Sequence, residues 1–384
     1  MTLVKIMDAQ ATPPSSISPP PGKSRFFPSL ALVRALAALI VVYDHLVGMW
    51  LQRNRVSWRP AEIIDRWVFE PLHLMTHGGG MAVAMFFMVS GFVIVYVSQR
   101  ETRREFAIRR ALRIFPPLWV SIALLLLAHA ALLACNSAEA LRGYALQEVL
   151  DQPNPWPYVA AAMTLANYLL GTPAVNGVAW TLIIEVFFYA TVALLLPLLK
   201  TRPRVAIVVA FVGLALLQQV ARSSAFVFLL AVNGVYVCYL FLGSLIYLRW
   251  AGRIGNGFLI VGSVAFWLLF LRGMRDIALQ PPFQLSDYGV SYGLAWLAFV
   301  VLLVLDDRLR LGRVSDFFSR ISYSLYLNHG GLGLLALTLL YPVLGYSAAL
   351  ALTLPAVVAI SAASYRWVEV PSQRLARHWT SRSG

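Results

Sequence analysis

Charge is what this chain has least of. Only 12% of its 384 residues are charged, about half the fraction usual for soluble domains. A water-soluble fold is therefore excluded. There are two cysteines, Cys135 inside the end of one apolar run and Cys238 inside another, so no disulfide framework is expected. The chain has no P-loop, no GxGxxG and no GxSxG elbow, which removes the common nucleotide and serine-hydrolase readings. Acidic residues are scarce, 17 against 31 Lys and Arg, for a net charge of +14. No soluble basic domain interleaves that charge with aromatics, so nucleic acid is not an expected partner.

Apolar residues are abundant: 59% hydrophobic, with a mean hydropathy of +0.72. Stretches long enough to cross a bilayer lie near 29–50, 80–98, 114–134, 178–199, 204–220, 226–248, 256–272, 288–305, 321–340 and 344–366. The expected fold is an all-α, polytopic membrane bundle of about ten helices. The run at 158–171 is shorter and reads as interfacial or re-entrant. Residues 1–28 are rich in Pro and Ser and read as a disordered tail. The membrane domain is expected over 29–371 and a second tail over 372–384. The first apolar run lacks a small-residue cleavage site, so it does not read as a removable signal.

An even number of spans puts both termini on one side. With the termini inside, the inner segments hold 22 Lys and Arg and the outer loops 8. The positive-inside rule then predicts cytoplasmic termini and attraction to anionic membrane lipid.

Against this background the intramembrane polar residues stand out, because charge at bilayer depth costs a few kcal/mol. Arg34 and His45 share the first span. They are about 16 Å apart along a helix axis, a cation in the inner half and a proton-transfer group near the outer face. Ser90-Gly91 in the second run permits a close approach, of a neighbouring helix or of a slim ligand. Arg109, Arg110 and Arg113 precede Pro116-Pro117. Arg110 and Arg113 share a helix face and read either as a fork for phosphate oxygens or as a topological flank. Glu185 sits inside an apolar helix and must be protonated or paired across the bundle, with Arg34, His45 or His329 the expected partners. Ser322, Tyr323, Ser324, Tyr326, Asn328 and His329 form a polar stripe. His329 reads as a second functional imidazole or as a satisfied core histidine. His73 and His77 have ligand-like spacing but no third ligand in sequence, so no metal site is expected.

Taken in order, these clusters resemble the acyltransferase-3 family of bacterial membrane O-acyltransferases. The match covers about Leu30 to Pro371. It rests on Arg34 with His45, FFMVSGF (86–92), Arg110-x-x-Arg113 with Pro116, WTLIIEVFFY (180–189), SYSLYLNH (322–329) and YRWVEVP (365–371). Asn328 stands where many members carry Trp, and the esterase-like domain fused to some members is not found.

The resemblance implies transfer of an acyl group, usually acetyl, from cytoplasmic acyl-CoA to a hydroxyl of an extracytoplasmic or lipid-linked glycan such as O-antigen or exopolysaccharide. Some members instead acylate macrolides. It implies a bacterial inner-membrane location and no permanently bound cofactor, with acetyl-CoA as a donor substrate. It assigns His45 and Arg34 to the catalytic centre; in the mechanism built on it, Glu185 would orient or charge-balance an imidazole, either His45 or His329. Arg110, Arg113 and Ser90 would handle the donor, and Trp180, Tyr326 and His329 the substrate. The rival class is a proton-coupled transporter, which also uses intramembrane Arg, Glu and His. The two halves of the chain show no repeat of the kind many carriers have.

Overall fold

The computed structural model describes residues 26–134, 145–278 and 288–381. Most of the tail read at 1–28, and Cys135, lie outside them. Among the described residues there are helices and no strands. Eight helical runs are long and apolar enough to cross a membrane. We number the spans α1 (Pro28–Asn54), α2 (Gly79–Ser98), α3 (Arg103–Ala134), α4 (Gly177–Thr201), α5 (Pro203–Ser223), α6 (Ala225–Trp250) and α7 (Asn256–Ala278). A shorter apolar helix, α8, covers Tyr288–Val304. The last run, Arg313–Ser381, has 69 residues. A straight helix of that length would be about 100 Å long, three times the hydrocarbon core. Gly345, at φ 72° and ψ 168°, breaks it into α9 (313–344) and α10 (346–381).

Two expected boundaries are corrected. The third span does not begin at 114: α3 starts at Arg103 and continues through Pro116 and Pro117. The arginine cluster is therefore helical and rigidly attached to the span. Residues 372–384 are not a plain tail, because the helix Val370–Ser381 occupies most of them and packs on α3. The run at 158–171 forms two short helices, Trp156–Thr164 and Asn167–Leu170, tied to α3 where the Trp119 indole donates to the Met163 carbonyl at 2.9 Å.

The helices sort by what they bury. α5 shows Val205, Val208, Val209, Val212 and Leu216 on an exposed face, the spacing of a single helical stripe turned to acyl chains. α6 is buried along most of its length and lies directly against α2. Its partner faces meet at glycine. A Cβ on Gly91 would fall 1.8 Å from the Leu240 carbonyl oxygen, and one on Gly243 2.0 Å from that of Met88. Backbones approach this closely in membranes through small residues. α1 packs between α2 and α9. Its first turn is capped from α8's end: the Ser29 N–H and hydroxyl both donate to Asp306 Oδ1, at 2.9 and 2.5 Å, satisfying a donor that the helix itself cannot.

Candidate active site

Two sets of polar groups converge inside the bundle. The first lines a cavity of about 120 Å³ between α1, α2, α3, α4 and α9. It has room for a slim chain, and not for drug-sized ligands of about 300 Å³ and above. Arg34, Arg110 and Arg113 face it, with Glu185 the one carboxylate in its wall. Ser90 lines it too. The neighbouring Gly91 makes the contact with α6, while Ser90 faces the cavity.

Each arginine is held differently. Arg34 Nη2 donates to the Ser322 hydroxyl at 2.9 Å. Arg110 lies 3.7 Å from Glu101 Oε1 and against the Phe106 ring, with its Nε buried and unpartnered. Arg109 takes the shorter contact to Glu101, at 3.0 Å, and also donates to Thr380. Arg113 faces the cavity with no hydrogen bond or ion pair to protein among the described residues.

Glu185 is part-buried in the bundle beside Arg34, one of its three expected partners, without bonding to it. Its Oε2 accepts from the Tyr189 hydroxyl at 2.7 Å, one turn along α4. Among the described residues it makes no hydrogen bond and no ion pair within 4 Å to His45, His329 or Arg34. It shares the cavity wall with Arg34 and Arg113 and interacts with both electrostatically. In this arrangement its charge faces two guanidinium groups and no imidazole. Glu185→Gln is expected to leave those cations under-compensated and to cost about 1 to 3 kcal/mol, below the full buried-pair penalty because the carboxylate faces a cavity. Thermal unfolding of the purified variant checks this; a melting temperature equal to wild type counts against it.

The second set is a pair of imidazoles. His45 and His329 each stand on a π-helical turn, Asp44–Met49 in α1 and His329–Gly333 in α9. Such turns re-aim side chains and recur at functional sites. The rings meet edge to face, centroids 4.9 Å apart, with His329 Nε2 3.3 Å from His45 Nδ1. Backbone carbonyls assign the protons. His329 Nδ1 lies 3.1 Å from the Leu325 oxygen and His45 Nδ1 3.0 Å from the Val41 oxygen. Both Nδ1 atoms must carry hydrogen, since a carbonyl only accepts. The lone pair of His329 Nε2 then faces the His45 Nδ1–H, and His45 Nε2 is left as the free basic nitrogen. His329 is fully buried, whereas the His45 side chain keeps 20% of its surface. Of the two rings, His45 is the one with exposed surface.

Tyr326 separates the two sets. Its ring is 5.7 Å from that of His329 and it closes the cavity together with Thr181 and Phe86. Its hydroxyl donates to the Val178 carbonyl at 2.7 Å and accepts from Thr181 at 2.9 Å, so it forms a fixed wall. Trp180 does not line the cavity; it packs against Tyr236 in an aromatic cluster.

Comparison with known proteins decides the family. The model of an acyltransferase domain family, acyltransferase-3, matches residues 27–366. The chain belongs to the acyltransferase-3 family. It is 30% identical over 190 residues to nodulation protein 10 of Rhizobium leguminosarum bv. viciae, a stretch covering 48% of this chain and 48% of that protein. No solved structure matches.

The sequence reading gave no role to three groups of this family member, one of them inside the quoted motif YRWVEVP. Glu101 is the buried counter-ion of Arg109 and Arg110. Glu369 is buried, accepts from Ser324 at 3.0 Å and Gln373 at 3.2 Å, and interacts electrostatically with Arg34 and Arg113. Its signal was available, since no other acidic residue follows Asp316. Asp44, beside His45, is the third.

Proposed function

We propose that this acyltransferase moves a short acyl group from acyl-CoA to a hydroxyl of an extracytoplasmic or lipid-linked glycan. The reading is carried by one observation: a cavity lined by three arginines and one carboxylate, its Arg113 without a hydrogen bond or ion pair to protein among the described residues, lies one side chain, Tyr326, away from an imidazole pair. That charge balance suits an anionic donor, and the cavity's small volume suits an unbranched pantetheine arm with a short acyl group. The distribution of Lys and Arg supports a cytoplasmic donor side and puts His45 toward the opposite face.

In this reading the donor phosphates bind at Arg113 and Arg110, and Arg34 and Ser90 border the path of the arm. The acceptor hydroxyl approaches His45. Nε2 takes its proton as the oxygen attacks the thioester carbonyl. The new C–O bond forms, the C–S bond breaks, and the same nitrogen returns the proton to the departing sulfur. Tyr326 stands between the cavity and His45, so its side chain must give up its bonds to Val178 and Thr181 and swing aside for the thioester to reach Nε2.

Thioester consumption by purified protein, with and without a glycan acceptor, tests the proposal. Acceptor-dependent release of free CoA is expected; no release under any acceptor would overturn it. Donor handling has its own test. Arg113→Lys keeps the charge but loses the planar fork, and is expected to weaken the apparent affinity for acyl-CoA by about 10-fold or more, the worth of one charge-assisted hydrogen bond. Arg110→Lys should cost less, because Glu101 already engages that side chain. Equal affinity in both variants and wild type would leave the arginines as topological flanks.

A further inference from the structure

The mechanism above leaves a part-buried carboxylate unused. Asp44 lies between two imidazoles at the His45 end of α1. Its Oδ2 is 3.6 Å from His45 Nδ1, and its Oδ1 is 3.9 Å from His77 Nδ1. The side chain is 14% exposed.

Three independent features hold it there. A Cβ on Gly79 would fall 2.0 Å from Asp44 Oδ2, and one on Gly48 would fall 2.0 Å from the His77 ring. Both sites therefore admit only glycine while these side chains keep their places. His77 itself is buried and sits in the left-handed region at φ 66°, a conformation that a non-glycine residue keeps only when its surroundings impose it. Gly79 also begins the 20-residue α2, so the carboxylate rests near the positive end of a helix dipole. Other titratable groups around the cluster are His329, on the opposite side of the dyad contact, and Asp65, which interacts with His77. Packing alone does not call for such an arrangement, since an apolar side chain would fill the space between α1 and α2 without needing either glycine or the strained histidine.

We propose that Asp44 is a positioning residue: it fixes the His45 ring with Nδ1–H turned toward Val41 and His329, and stabilises the imidazolium formed when Nε2 takes the acceptor's proton. His77 is the strut on the carboxylate's far oxygen. The inference rests on the assignment of His45 as the base.

The experiment measures kcat, both KM values and thermal stability for Asp44→Asn, Gly79→Ala and His45→Ala. Asp44→Asn keeps shape and removes charge; Gly79→Ala keeps charge and displaces the carboxylate. Each is expected to lower kcat by about 10- to 10³-fold, below the 10²- to 10⁴-fold of losing the general base itself, with both KM values and the melting temperature near wild type. Wild-type kcat in either stable variant overturns the inference. So does a loss in both that merely tracks the folded fraction. The control separates the two levels: transfer surviving in His45→Ala sinks the assignment of the base, whereas an inactive His45→Ala beside a fully active Asp44→Asn sinks only the role of Asp44.

Discussion

His45→Ala is expected to lower acyl transfer by about 10²- to 10⁴-fold, the usual contribution of a general base, while the protein still inserts and still binds acyl-CoA. The reasons are geometric. His45 is the exposed member of the pair, and the carbonyls of Val41 and Leu325 leave its Nε2 as the available lone pair. It does not line the arginine cavity, so donor affinity should not move. The comparison with His329→Ala is informative. That ring is fully buried; its removal deletes the second, longer acceptor contact of the His45 Nδ1–H, leaving the Val41 carbonyl, and opens a void. Its loss of activity should therefore come with a lower melting temperature, whereas His45→Ala should melt near wild type. Near-wild-type transfer by His45→Ala would end the mechanism.

How much of this was legible beforehand differs from residue to residue. The spans follow from hydropathy, since backbone groups in lipid must be satisfied within helices. The motif residues Arg34, Ser90, Arg110, Arg113, Glu185 and Tyr326 do share one cavity, although they are scattered over nearly 300 positions. The Glu185–Tyr189 bond was legible too, as an i, i+4 pair on one helix face. What stayed hidden depends on tertiary contact or on local helix geometry. Hydropathy does not reveal a π-turn, and it is the two π-turns that carry the histidines. The continuity of α3 through Pro116-Pro117 overrides the boundary that prolines ordinarily signal. The shielding of Arg110 by Glu101, nine residues earlier, needs the turn between α2 and α3 to be known. Asp44 was masked by its neighbour: next to a histidine in an apolar run, one acidic residue reads as part of the interface.

Gly91→Ala and Gly243→Ala should each destabilise the bundle by about 3 kcal/mol, the upper part of the usual overpacking range and a large fraction of a typical total of about 5 to 15 kcal/mol. At both sites the added methyl would collide with a backbone carbonyl, of Leu240 in one case and Met88 in the other. A side chain can rotate away from such a clash; a carbonyl cannot without moving its helix. The contact is reciprocal, with Met88 and Gly91 on α2 facing Leu240 and Gly243 on α6, and the Ser244 hydroxyl donates to the Gly91 carbonyl across it at 3.2 Å. Either substitution must therefore push apart two of the most buried spans and loosen Phe87, Phe92, Tyr239 and Phe241, all fully buried. Gly213→Ala on α5 is the control. A Cβ there meets nothing within 4 Å, and replacing a mid-helix glycine by alanine is expected to stabilise by about 0.5 to 1 kcal/mol. Thermal unfolding of the three variants in detergent checks the contrast; Gly91→Ala melting with wild type would mean that α2 and α6 are not packed this closely. The effect reaches the chemistry, because Phe86, Phe87, Val89 and Ser90 on α2 line the cavity. Spreading α2 from α6 would move that wall, so the surviving folded fraction of Gly91→Ala should also bind acyl-CoA more weakly than wild type.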